Sequence, residues 1–247
     1  MPGNLTHVRV GRSARSVEPE WLDELPAADP RAIRSRRDLQ RVNAWMLNAR
    51  IMGELLESRC GAPPRSIVDL GGGDGTFLLK LARRLSRRWP RVSVTLVDRQ
   101  PVVSDRTRAE FRSLGWDLEL VGADALAYLW GASAVRAEVV TANLFLHHLD
   151  TAQLERLFAL LAGVATLFVA CEPRRSAAAL AGSRLLWAIG CNDVSRHDAV
   201  VSVRAGFSRN ELSLLWPGRR GWSLEEREAG PFTHAFVARR GAAPGAE

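Results

Sequence analysis

The stretch Ile67–Thr76, reading Ile-Val-Asp-Leu-Gly-Gly-Gly-Asp-Gly-Thr, limits this chain to few folds. Ile67 to Leu70 is a short apolar run, as a strand buried on both faces requires. Glycine follows at Gly71, Gly72, Gly73 and Gly75. A helical pattern then opens at Thr76, with Phe77, Leu78, Leu81, Ala82 and Leu85 on one stripe. Glycine lets the backbone turn sharply and lets a ligand press against it. The helix start that follows offers free N–H groups and a partial positive charge. Strand, glycine turn and helix in this order predict a nucleotide or nucleoside loop on a doubly wound α/β sheet.

The residues around the loop narrow the ligand. A P-loop ends in Gly-Lys-Ser/Thr, and Lys80, the chain's sole lysine, comes too late. A dinucleotide fingerprint, Gly-x-Gly-x-x-Gly, needs a third glycine where Thr76 stands when counted from Gly71 and Gly73. The remaining pattern carries Asp69 inside the strand and Asp74 inside the loop. Two carboxylates would repel a pyrophosphate, but they suit a ligand with an ammonium group and no phosphate.

The chain continues in α/β alternation. Val92–Val97 reads as a second strand ending at Asp98, with Arg99 beside it. An acidic residue at that strand end is placed to hold a ribose diol, because a carboxylate accepts from two hydroxyls at once. A helix is predicted over Pro101–Leu114, a third strand over Leu118–Val121, and then Gly122-Ala123-Asp124-Ala125. Glu138–Leu144 reads as strand four, running into Leu146-His147-His148-Leu149. A helix capped by Asp150 and a strand at Leu167–Cys171 ending in Glu172-Pro173 follow. Ala177–Ile189 and Phe207–Trp216 are predicted helices, with a polar patch at Cys191–Asp198 between them. Trp222–Arg227 and Thr233–Arg239 read as two closing strands.

Ahead of this core, residues 1 to about 28 are polar and interrupted by prolines, so weak order is expected. Asp29-Pro30 starts a helix, and one amphipathic helix is expected to run from there to about Cys60. The domain reading is a helical N-terminal extension or lid over 1–62, a core over 63–240 with a pocket-shaping insertion at 174–217, and a tail at 241–247.

The glycine loop with Asp69, the strand-end Asp98, the Asp124 loop, the Leu-His-His-Leu exit from strand four and the closing strands together resemble the class I S-adenosylmethionine (SAM) dependent methyltransferases. The likeness covers about Arg65–Arg240. It implies a seven-stranded, mostly parallel sheet closed by an antiparallel hairpin, with SAM as cofactor. It also implies that Asp124 accepts from the adenine amine, that the Ala125 N–H meets the ring, and that Asn143 and Leu144 pass the sulfonium. The N-terminal helices would lie over the cofactor, bringing Trp45, Asn48 and Arg50 near ligand. The Leu-His-His-Leu exit is similar to that of small-molecule methyltransferases, including those of quinone biosynthesis.

Methyl transfer from a sulfonium is an in-line displacement; the protein aligns the partners and removes a proton. A phenol or enol oxygen needs a base that is neutral near pH 7, and histidine meets that need. His147 is the first candidate, His148 its neighbour at the strand–helix junction, and His197, flanked by Arg196 and Asp198, the third. No metal-ligand spacing stands out. The expected activity is transfer to oxygen, or carbon, of a small organic acceptor of phenolic, polyketide or quinone type. RNA or protein methylation, a SAM-binding module without turnover, and an NAD(P)-dependent reductase are the alternatives.

The net charge of +7 is almost wholly arginine and scattered, so it reads as codon bias; nucleic acid is disfavoured as a partner. Cys60, Cys171 and Cys191 are an odd count without ligand spacing, which suits reduced thiols and a cytoplasmic protein. No signal peptide is expected. The apolar run Leu157–Cys171 is too short to span a bilayer. A homodimer is compatible with this reading.

Overall fold

The computed structural model describes residues 14–26, 28–131 and 137–241. Seven strands form one sheet in the order β3-β2-β1-β4-β5-β7-β6. β1 (Ser66–Leu70), β2 (Val92–Asp98), β3 (Trp116–Gly122), β4 (Ala137–Asn143) and β5 (Ala165–Pro173) are parallel, while β6 (Trp222–Glu228) and β7 (Thr233–Arg240) close the edge as an antiparallel pair. The expected sheet is therefore present, hairpin included.

Strand alternation sends side chains to two cores. Ile67, Val94, Leu96, Val139 and Val169 face α3 (Asn48–Arg59), α4 (Thr76–Leu85) and Phe111 of α5 (Asp105–Ser113). Val68, Leu70, Val97, Val140 and Phe168 face α6 (Ala125–Gly131), α7 (Thr151–Val164) and α10 (Glu211–Leu215). The apolar run of residues 157–171 divides between α7 and β5. Among the described residues, no helix is long and apolar enough to cross a membrane.

Several elements depart from the sequence expectation. The N-terminal helix is two helices: α2 (Pro30–Met46) ends where Leu47 turns left-handed at φ 56°, and α3 starts anew. The apolar periodicity continues across the break, which is why it reads as one. α5 begins after Ser104, which accepts from the Thr107 N–H at 3.2 Å, not at Pro101. Ala177–Ile189 splits into α8 (Ala177–Arg184) and a 3₁₀ turn ending before left-handed Gly190. The polar patch is the start of a helix, α9 (Asp193–Ala205), capped by Asn192. Of Phe207–Trp216, only α10 is helical.

Residues 14–26 are mostly exposed but tied to the body by hydrogen bonds, against the expectation of weak order; residues 1–13 lie outside the described residues. Both oxygens of Asp198 on α9 accept backbone N–H groups, from Trp21 and Leu22 of α1 (Trp21–Glu24), at 2.9 and 3.0 Å. Buried Asp38 of α2 accepts from the Asn192 N–H and the Ser195 hydroxyl, at 2.9 and 3.0 Å. These carboxylates pin α1 and α2 to α9, forming a roof over the carboxyl ends of the strands.

Candidate active site

Strand order reverses between β1 and β4, where ligands bind open α/β sheets. A cavity of about 890 Å³ opens there. Its floor is the glycine turn, its walls are the loops after β2, β3 and β4, and its roof is α2, α8 and α9.

Three glycines in the turn adopt left-handed backbone: Gly71 at φ 73°, Gly73 at φ 53° and Gly75 at φ 71°. A Cβ on Gly71 would meet the Phe145 ring at 2.5 Å, and one on Gly72 would meet Leu96 at 2.4 Å. Gly75 does not line the cavity; it turns the chain into α4. Asp69 is buried and accepts from the Thr141 hydroxyl at 2.6 Å. Burial pushes its carboxyl up to about 7, opposed by that hydrogen bond. Asp74 accepts from the Thr76 N–H at 2.9 Å and from the Gln40 amide at 2.8 Å, tying the turn to the roof.

Asp98 accepts from the Gly73 N–H at 2.9 Å and the Gln100 N–H at 2.8 Å, so it braces the turn as well as lining the cavity. Asp124 accepts from the Leu126 and Ala127 N–H groups, at 2.9 and 3.1 Å, capping α6. Ala125 lies beside it, and Arg99 reaches the rim with its side chain largely exposed, 4.0 Å from Asp23. Asn143 accepts from Asn48 at 2.8 Å and donates to Asn43 at 3.0 Å; Leu144 follows in strained left-handed backbone at φ 52°. Trp45 lines the cavity mouth, while Arg50 pairs with Glu54 at 2.8 Å on an exposed face.

The exit from β4 is a 3₁₀ turn, Leu146–His148, held by Glu172 at the end of β5. The Glu172 carboxylate accepts from the N–H groups of Phe145, Leu146 and His147 at 3.0, 2.9 and 3.3 Å. It also accepts from His147 Nδ1 at 2.8 Å. The other ring nitrogen, Nε2, lies 3.3 Å from Glu20 Oε1. Glu20 is buried in the segment ahead of α1 and also accepts from the Ser202 hydroxyl. The Arg15 guanidinium donates to the carbonyls of Leu146, His147 and Leu149, at 3.2, 3.1 and 2.5 Å, clamping the same turn from outside.

This geometry corrects the premise of a histidine neutral at pH 7. Burial alone would lower the pKa of His147, but the Glu172 and Glu20 carboxylates outweigh it and raise it to about 9. Glu20 is correspondingly held at about 2: burial opposes ionisation, and the His147 hydrogen bond and both histidine charges overcome it. His148, its ring tilted at 4.2 Å from that of His147, is pushed down by burial and by its neighbour's charge.

The cavity gathers Asp69, Gly71, Gly72, Gly73, Asp74, Asp98, Arg99, Asp124, Ala125, Asn143, Leu144, His147 and His148. His197 is excluded: it stacks on Trp21 at 3.9 Å and bonds Asp198 at 3.0 Å, away from the cavity lining. Sequence reasoning missed Glu20, Arg15, Gln40, Asn43 and Ser202. Glu20 and Arg15 sit in a segment with no periodicity to mark them. Gln40 and Asn43 carried one usable signal, being polar positions on a helix opposite the glycine turn.

A glycine turn between β1 and α4, strand-end carboxylates around it, and this strand order give the chain the Rossmann-like fold seen in methyltransferases. Residues 67–166 match the family model described as "Methyltransferase domain". No curated protein sequence matches the chain. Solved structures show the same fold. An O-methyltransferase family protein from Burkholderia thailandensis superposes with a TM-score of 0.56 at 23% identity, covering 87% of this chain and 61% of that one. The pyocyanin biosynthetic protein PhzM gives 0.56 at 23%, covering 90% and 62%. The plantazolicin methyltransferase BpumL, solved with a triazolic desmethylPZN analog and S-adenosylhomocysteine (SAH), gives 0.61 at 14%, covering 86% and 92%. The chain thus spans about three fifths of the first two and most of the third.

Proposed function

We propose that this protein transfers the SAM methyl group to an oxygen of a small, largely apolar organic acceptor. The observation that carries the reading is one continuous cavity, with strand-end carboxylates at one end and the Glu172–His147–Glu20 cluster at the other. The relatives named above, small-molecule methyltransferases among them, favour an acceptor from bacterial secondary metabolism.

In this reading the glycine turn takes the methionine portion of SAM, with Asp74 beside its ammonium group and buried Asp69 beneath the turn. Asp98 holds the ribose, Asp124 and the Ala125 N–H the adenine, and Asn143 and Leu144 flank the sulfonium. The acceptor lies under the roof between Leu39, Met46, Leu186 and Val203, all lining the cavity. Its hydroxyl replaces Glu20 at His147 Nε2, while Glu172 keeps Nδ1 protonated and the ring oriented. Carbon as the methylated atom stays secondary, since the polar cluster provides a place for a hydroxyl proton. A cytoplasmic setting fits the three free cysteines. The N-terminal segment serves as the lid, and residues 174–217 shape the acceptor chamber.

The test is calorimetric titration of wild type and Asp98→Ala with SAM, SAH and NADH. Micromolar binding of the two adenosyl ligands, weakened by the substitution, with no NADH binding, is the expected result. NADH binding alone would overturn the reading.

A further inference from the structure

The acceptor end of the cavity offers a second kind of site, which uses Glu20 and His147 together with His148. Glu20, His147 and His148 each offer a ligand atom, and the three atoms lie within 4.8 Å of one another. All three residues line the cavity. We propose that Glu20, His147 and His148 bind a divalent transition-metal ion whose open coordination positions face the acceptor chamber.

Four features support this. First, spacing: ligands about 2.1 Å from a shared ion lie roughly 3.0–3.4 Å apart at usual bond angles, and Glu20 Oε1 is 3.3 Å from His147 Nε2. Second, the outer partners are in place. A metal-bound histidine usually donates its other ring N–H to a carboxylate, which fixes the tautomer and the ring; His147 Nδ1 meets Glu172 at 2.8 Å, and His148 Nδ1 lies 3.4 Å from Asp23. Third, charge: two buried carboxylates, Glu20 and Glu172, flank one imidazole, so a dication at Nε2 would be better compensated there than a proton. Fourth, the turn carrying both histidines is rigid, held by three N–H groups on Glu172 and three carbonyls on Arg15.

Two imidazoles and one carboxylate suit zinc, iron(II), cobalt(II) or nickel(II) better than magnesium or calcium. Three protein ligands beside a chamber leave positions for an outside oxygen, as catalytic sites do. Such an ion would bind the acceptor's hydroxyl oxygen and make it more acidic. With the ion bound, the acceptor hydroxyl would meet the metal in place of His147 Nε2; metal binding itself does not depend on the methyl-transfer reading.

The experiment uses the untagged full chain, stripped with a chelator and titrated with Co²⁺ alone. One saturable Co²⁺ per chain with visible d–d absorption is expected, displaced by Zn²⁺. His148→Ala and Glu20→Gln should each weaken it at least about tenfold, while SAH affinity, measured on the same samples, stays within about twofold. Should a variant lose SAH binding through misfolding, X-ray absorption of cobalt-loaded wild type decides: two imidazole rings in the coordination shell support the site. No saturable binding, an oxygen-only shell, or full affinity in both folded variants would overturn it. These readouts need no acceptor, so their failure is separate from failure of methyl transfer.

Discussion

The two ends of the cavity are built in different ways. At the cofactor end, several supports of the loops are local, although Asp69 and Asn143 are also held across 72 to 100 residues. Asp98 reaches Gly73 across 25 residues, Asp124 caps the helix that follows it, and Asp74 caps the start of α4. At the acceptor end, Glu20 meets His147 across 127 residues, Arg15 meets Leu149 across 134, and Trp21 meets Asp198 across 177. The cofactor end is a property of the strand–turn–helix units and forms with the sheet. The acceptor end exists only when the N-terminal segment and α9 dock onto it. Substitutions should therefore separate cofactor binding from turnover.

The largest effect expected is at the glycine turn. Gly71→Ala puts a methyl group into the Phe145 ring on left-handed backbone, so SAH affinity should fall by about 100-fold or more. Retained affinity would mean that the turn is not the cofactor floor. Next comes His147→Ala. Turnover should fall by about 100-fold or more with SAH affinity within twofold. It strips the ring from between two buried carboxylates, so His147→Gln belongs beside it, expected to regain thermal stability and not turnover. A parallel loss of SAH affinity in folded protein would erase the distinction between the two ends.

A smaller effect should follow Arg15→Ala, which frees three carbonyls of the His147 turn without touching the cavity. The expected result is a several-fold drop in kcat with KM for SAM unchanged; unchanged kcat would show that the turn holds itself. The last effect, on stability and not on binding or turnover, concerns Asp69. Its folded pKa of about 7 lies above the ordinary aspartate value near 3.8, so the folded state binds a proton more tightly than the unfolded state. Its contribution to stability is fully present below about pH 4 and is lost as pH rises through about 7. Asp69→Asn should flatten this part of the pH–stability curve by a few kcal/mol at most, on the order of one per pKa unit. Chemical denaturation across that range checks it, and an identical slope in the variant would refute it.

Much of the cofactor end could be read in order along the chain, because its determinants are short-range. The apolar run before Asp69, the glycines after it and the carboxylate closing the next strand each follow from backbone geometry. The helix break at Leu47 could not be read, since apolar positions continue through it and only the tertiary path demands the left-handed residue. α9 was hidden because its buried polar residues, Ser195 and Asp198, are satisfied by α2 and α1, so they look like loop residues in sequence.

The sequence by itself determined the alternating strands and helices, the glycine turn that floors the cavity, and the two histidines at the end of β4. Those depend on periodicity and on residues within a few tens of positions. Tertiary structure alone decided what the histidines are. It placed Glu20 and Glu172 on the two nitrogens of His147, raised that ring's proton affinity above that of a free imidazole, and sent His197 out of the cavity. Coulomb and desolvation energies depend on distance in space and on burial, and neither is written in the order of residues along a chain.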